Sequence, residues 1–148
     1  MHMVNDATRP RIVVAEDDPM VMELITTHLE LAGFQTFSAR NGSDALSRIA
    51  HVRPDGLVLD INMPILDGFQ VLERMRMGSA NHRPPTLVLT ARNRPEDVKR
   101  AIELGARDFI SKPFKDDQLI ARVTRLVRKA KPAPVIMAPD RREMTTEI

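Results

Sequence analysis

Short apolar runs alternate with longer amphipathic stretches from residue 11 to about residue 129. The runs are RIVVA (11–15), FQTFSA (34–39), GLVLD (56–60), TLVLT (86–90) and DFISK (108–112). Their length and β-branched content predict strands, and the unbroken apolar character of the first, third and fourth predicts burial on both faces. The stretches between them have helical spacing. Residues 19–32 carry Val21, Leu24, Ile25 and Leu29 on one side, with Asp18 as N-cap, Pro19 as first residue and Gly33 as stop. Residues 43–52 turn Ala45, Leu46 and Ile49 inward, and residues 68–77 do the same with Val71, Leu72 and Met75 after a cap or turn at Asp67. A helix opened by Pro95 carries Val98, Ala101 and Ile102 and closes near Gly105. The last, capped by Asp116 or Asp117, carries Leu119, Ile120, Val123 and Val127 to about Lys129. Strands alternating with helices predict an α/β fold, and right-handed crossovers make it a doubly wound five-stranded parallel sheet with helices on both faces.

The 148 residues suffice for one compact domain, placed at 11–130. Residues 1–10 read as an N-terminal arm that opens with a cloning remnant, MHM. After Lys131 the composition shifts to KPAPVIMAPDRREMTTEI, which reads either as a Pro-rich tail or as a linker to a second domain. Lys and Arg number 22 against 20 acids, so a net charge of +2 demands neither a nucleic acid nor a membrane partner. With five Phe and no Trp or Tyr there are few stacking platforms for single-stranded nucleic acid, and no direct nucleic-acid binding is expected. Cysteine is absent, which removes disulfides, thiolate chemistry and Cys-based zinc sites. No run approaches a membrane span, and a cytoplasmic protein is expected. His28, His51 and His82 show no paired ligand spacing and read as surface residues, and the methionines read as core filling, as at Met75.

Polar residues end four of the apolar runs: Glu16-Asp17-Asp18, Asp60, Thr90 and Lys112. In a parallel sheet these ends share the carboxyl edge, where open α/β sheets bind ligands. Glu16, Asp17 and Asp60 brought close would repel, and a divalent cation resolves that conflict. Hard oxygen donors without His or Cys favour Mg2+. Asp17 and Asp60 read as direct ligands, Glu16 as a ligand through water and the Asn62 carbonyl as a further donor. Asp60 beside such an ion suits nucleophilic attack on phosphorus. Lys112, the Thr90 hydroxyl and the Ala91 amide can then hold the phosphoryl oxygens. No Gly-rich phosphate loop occurs among the six Gly, which argues against a nucleotide cradle.

Together VVAEDDP, LVLDINMPILDG, LVLTA and DFISKPF resemble the receiver domain of two-component response regulators, over roughly residues 11–129. The resemblance implies a flavodoxin-like strand order 2-1-3-4-5. It implies phosphotransfer to Asp60 from a phosphohistidine of a sensor histidine kinase or of a histidine phosphotransfer protein. By position, Glu16 and Asp17 become the acidic pair, Asp60 the phosphoacceptor, Thr90 the switch hydroxyl and Lys112 the phosphoryl-binding lysine. Lys112–Pro113 is expected to be cis. Phe109 falls at the switch aromatic, without the hydroxyl of the commoner Tyr, and Arg92 falls where the family tunes aspartyl-phosphate lifetime. The expected mechanism is a population shift in which Thr90 moves toward the phosphoryl group, Phe109 fills the vacated space and the surface of helix four, strand five and helix five changes. That surface would signal to an output partner or effector domain.

The last helix carries Arg122, Arg125, Arg128 and Lys129, which read first as a solvated basic face. It also resembles regulators that dimerise through that surface, where Lys99, Asp108 and Arg122 would pair across the interface. Arg107 stands where that subgroup has an acid, so a phosphorylation-dependent homodimer is left open. The main rival is a haloacid-dehalogenase-type phosphatase, which also forms an aspartyl phosphate. That class has Asp-x-Asp at the nucleophile, and here Asn62 occupies the place of the general acid. A receiver that phosphorylates and slowly dephosphorylates itself, without turning over a substrate, is the expectation.

Overall fold

The computed structural model describes residues 8–78 and 83–130. The first seven residues of the expected arm, His82 and the tail at 131–148 lie outside the described residues. The elements alternate as β1 (Arg11–Ala15), α1 (Pro19–Leu31), β2 (Gln35–Ala39), α2 (Gly42–Val52) and β3 (Gly56–Leu59). They continue as α3 (Gly68–Met77), β4 (Thr86–Thr90), α4 (Pro95–Glu103), β5 (Asp108–Ser111) and α5 (Asp116–Ala130). All neighbouring strands pair in parallel, in the order β2-β1-β3-β4-β5. Strands β3 and β5 stop one residue early, so Asp60 and Lys112 stand just beyond the strands that carry them.

Alternation along the strands splits the core into two layers. Val13, Ala15, Leu57, Leu59 and Val88 face α2, α3 and the Ala101–Ala106 region. Ile12, Val14, Val58, Leu87, Leu89 and Ile110 face α1 and α5. The central strands are buried on both faces, which is why they read as continuous apolar runs rather than alternating ones. At the edge, β2 is mostly half-buried, matching its mixed sequence.

Several helix faces differ from the expectation. In α1 the buried stripe is Met22, Ile25 and Leu29, while Leu24 is 43% exposed and Val21 only half-buried. Ile25 and Leu29 are buried as expected and Val21 packs at the core margin, but Met22 rather than Leu24 completes the stripe, because apolar residues at 20–22 and 24–25 leave its edge undecided by periodicity. Met20 and Met77 are exposed rather than core filling. In α4 only Asp97 and Ala101 are buried, and Ile102 is exposed. Leu119, Val123 and Leu126 carry the α5 core, with Ile120 and Val127 packed at its margin.

Capping places the helices. Asp18 accepts from the Met20 and Val21 amides, and Asp67 and Gln70 form a reciprocal capping box at α3. Asn41 caps α2, its side chain accepting from the Asp44 amide. The expected cap of α5 is corrected: the first helical bond runs from the Leu119 amide to the Lys115 carbonyl, which puts Asp116 and Asp117 inside the first turn. The Asp116 carboxylate instead meets His28 Nε2 at 3.1 Å, tying α5 to α1. Gly33, at φ +101°, turns the chain out of α1 in a left-handed conformation.

Candidate functional site

Two strand ends deliver the acidic corner. Glu16 follows β1, and its amide donates to the Ala39 carbonyl of β2 at 3.0 Å. Asp60 follows β3, and its amide donates to the Ala15 carbonyl at 3.0 Å. These bonds extend the ladder one step past the strands and fix both acids on one edge. One carboxylate oxygen from each of Glu16, Asp17 and Asp60 lies within 4.8 Å of the others. Glu16 and Asp60 are buried, at 2% and 5% exposure, whereas Asp17 faces solvent. Oxygen donors alone, from clustered carboxylates, suit a hard divalent cation that retains water, and so fit Mg2+. Exposed Asn62 follows, its amide donating to Asp60 Oδ1 at 3.3 Å.

Lys112 closes the corner from β5. Its ammonium donates to Glu16 Oε1 at 2.7 Å and to Asp60 Oδ2 at 3.1 Å. The bond to Glu16 was not foreseen from sequence, because nothing in the local pattern joins residues 96 positions apart. Its backbone amide donates to the Thr90 carbonyl at 2.9 Å, and the Lys112–Pro113 bond is cis. Glu16 Oε2 also accepts from the Asp18 amide at 3.1 Å. Burial pushes the Glu16 carboxyl above its ordinary value, against the downward pull of the Lys112 hydrogen bond. Burial pulls Lys112 down, but the hydrogen bonds and negative charge of Glu16 and Asp60 outweigh it and hold the ammonium above its ordinary value. Two buried acids share one ammonium, so the corner keeps net negative character.

Thr90 ends β4 with no exposed surface, and its Oγ1 accepts from the Arg92 amide at 3.2 Å. Ala91 is exposed beside it. Phe109, register partner of Val88, is half-buried against the layer that holds Ala101 and Ala106. Close packing supports the Asp60 loop from below. A Cβ at Gly68 would fall 2.5 Å from the Asp60 carbonyl oxygen and 2.8 Å from Ile61 Cα, so only glycine lets α3 press against that loop. Asp108 is bound within the chain by Arg122 at 2.7 Å and Arg125 at 3.2 Å.

Sequence reading missed one buried charge. Asp97, 6% exposed, accepts from Arg92 Nε at 3.0 Å and from the Arg94 amide at 3.3 Å. Its spacing from Pro95 signals an acid in the first turn of a helix, which is normally solvent-facing; only the tertiary position of Arg92 explains its burial.

Comparisons with known proteins show the family and the fold. A profile for the response regulator receiver domain matches residues 12–124. The transcriptional regulatory protein PrrA of Mycobacterium tuberculosis is 39% identical over 127 residues, covering 86% of this chain and 54% of PrrA. The response regulator MprA of Mycobacterium avium is 41% identical over 122 residues, covering 82% of this chain and 53% of MprA. The chain thus spans about half the length of the curated relatives it matches. Among solved structures, the receiver domain of a Francisella response regulator superposes with a TM-score of 0.77 at 34% identity, covering 83% of this chain and all of that one. The Vibrio cholerae chemotaxis protein CheY4 gives 0.75 at 27% identity, covering 80% and 99%. Profile, relatives and strand order converge, and the chain belongs to the receiver-domain family of two-component response regulators.

Proposed function

We propose that Asp60 is the phosphoacceptor of this receiver domain, taking a phosphoryl group from a phosphohistidine of a sensor histidine kinase or histidine phosphotransfer protein. Phosphorylation on an aspartate is the general function of the family. The observation that carries the assignment is the pairing of Asp60 with Lys112 and with two further carboxylates at one sheet edge. In the transfer, a carboxylate oxygen of Asp60 attacks phosphorus while the P–N bond breaks. Its electron pair stays on the departing imidazole, which takes up a proton. Lys112, already 3.1 Å from Asp60, moves with the incoming charge and neutralises one phosphoryl oxygen. The Thr90 hydroxyl and the Ala91 amide bind another.

Glu16, Asp17, Asp60 and the Asn62 carbonyl would hold Mg2+, with Glu16 acting through water. The bound ion supplies charge neutralisation at carboxylate and phosphoryl oxygens. On this reading Thr90 shifts toward the phosphoryl group, Phe109 follows, and the α4–β5–α5 surface changes population. That surface signals to an output partner or effector domain. Residues 11–130 act as the receiver, and 131–148 as tail or linker.

The test is to incubate the protein with acetyl phosphate and Mg2+, follow intact mass, and assay p-nitrophenyl phosphate separately. Stoichiometric labelling that chelation abolishes, without steady turnover, is the expected result. Sustained turnover of the phosphomonoester would instead support the haloacid-dehalogenase-type reading.

A further inference from the structure

Helix α4 is attached unlike the other helices that flank the site. Its buried residues are Asp97 and Ala101, so one of its two inward anchors is a carboxylate. Val98 is half-buried, and Ile102 lies open to solvent. The carboxylate is held by Arg92, which is two residues past Thr90. The Arg92 guanidinium also lies 5.2 Å from the centroid of the Phe69 ring, with Arg100 of α4 at 4.2 Å from the same ring. Phe69 is buried and follows Gly68, which presses against the Asp60 carbonyl.

A continuous chain of bonds therefore leaves the site. The Thr90 hydroxyl accepts from the Arg92 amide, which leaves its own proton free to donate. The Arg92 side chain binds Asp97 through Nε at 3.0 Å. Asp97 reaches back to the Arg94 amide at 3.3 Å, fixing the start of α4. A hydroxyl that moves toward a phosphoryl group on Asp60 pulls the Arg92 amide with it. Arg92 then moves against Asp97, and α4 has little apolar burial to resist.

We infer that the Arg92–Asp97 ion pair is the link that carries a change at Thr90 into α4. Arg92 and Asp97 are positioning residues: their side chains bond each other and the Arg94 amide rather than Asp60 or Lys112. The inference rests on Asp60 and Thr90 having the roles proposed above. A buried ion pair suits the task better than apolar packing. Its strength is directional, and losing one partner leaves an uncompensated charge, so both ends move together or separate at a cost.

The test compares wild type, Asp97→Asn and Arg92→Gln, each with and without acetyl phosphate and Mg2+. Intact mass reports labelling, and hydrogen–deuterium exchange reports Pro95–Glu103. Asparagine keeps the shape of Asp97 and an acceptor for the Arg94 amide. Arg92→Gln takes the guanidinium from buried Asp97, so a cooperative melting transition is required of this variant before its exchange is compared with wild type. Exchange is compared at matched labelling, read from the intact mass, because Arg92 falls at the position expected to tune aspartyl-phosphate lifetime. Labelling should change α4 exchange by about fivefold or more in wild type and by about twofold or less in either variant, the range expected when a coupling free energy is removed. The double variant should lose no more than each single one, since all three cut the same link. A merely structural pair would raise exchange in both states and leave the labelling-dependent difference intact, which would overturn the inference. So would a wild type that labels without any change in α4. Absence of labelling in wild type would refute the Asp60 reading instead, and the mass measurement shows that outcome separately.

Discussion

Helices α3 and α4 follow successive strands on the same face of the sheet, yet they are held by different physics. Helix α3 buries Gly68, Phe69, Val71, Leu72 and Met75 and is capped by a reciprocal box at Asp67 and Gln70. Helix α4 buries a methyl group and a carboxylate. Apolar burial is non-directional and grows with area, so α3 is a fixed wall behind the Asp60 loop. An ion pair depends on the position of its partner, so α4 can respond to a change in the loop that holds Arg92. The difference shows how one layer can contain both a support and a moving part.

The largest expected effect is on the wall. Leu72→Ala should lower stability by about 2–5 kcal/mol in urea unfolding, as a buried leucine replaced by a cavity does. Gly68→Ala should cost about 1–3 kcal/mol, because the new methyl meets backbone atoms of Asp60 and Ile61 that cannot swing away. It should also slow labelling by acetyl phosphate, since the displaced residue is Asp60 itself. Ile102→Ala in α4 should stay within about 0.5 kcal/mol, because the side chain is exposed. A loss as large as that of Leu72→Ala would erase the contrast between the two helices.

The acidic corner sharpens the contrast through pH. The folded-state value of Lys112 is raised, so the stability it contributes is full below the ordinary lysine value of 10.5 and is lost as pH rises through the folded value. The stability gap between wild type and Lys112→Met should therefore be open at neutral pH and close above pH 10.5 in pH-dependent unfolding. A gap that stays constant into that alkaline range would mean that Lys112 acts through packing of its stem alone.

Much of the fold was legible because double burial writes itself plainly: RIVVA, GLVLD and TLVLT have nowhere to go but the middle of a sheet. Asp18 and Asp67 were legible as caps or turn residues because capping is local. What failed was tertiary. Residues 20–31 offer more than one apolar stripe, and only packing on the sheet selects Met22, Ile25 and Leu29 over Leu24. Sequence placed the acids and Lys112 on one edge, but not which oxygen the ammonium would touch. Asp97 was invisible as a buried charge because its partner lies in a loop whose path depends on Thr90.

The central claim is that Asp60 accepts the phosphoryl group, and peptide mapping by mass spectrometry after acetyl phosphate and Mg2+ tests it most directly. The account predicts a single labelled site at Asp60 in wild type and no labelling in Asp60→Asn, whose melting transition should stay cooperative. Labelling retained in Asp60→Asn, or mapped to another residue in wild type, would contradict it.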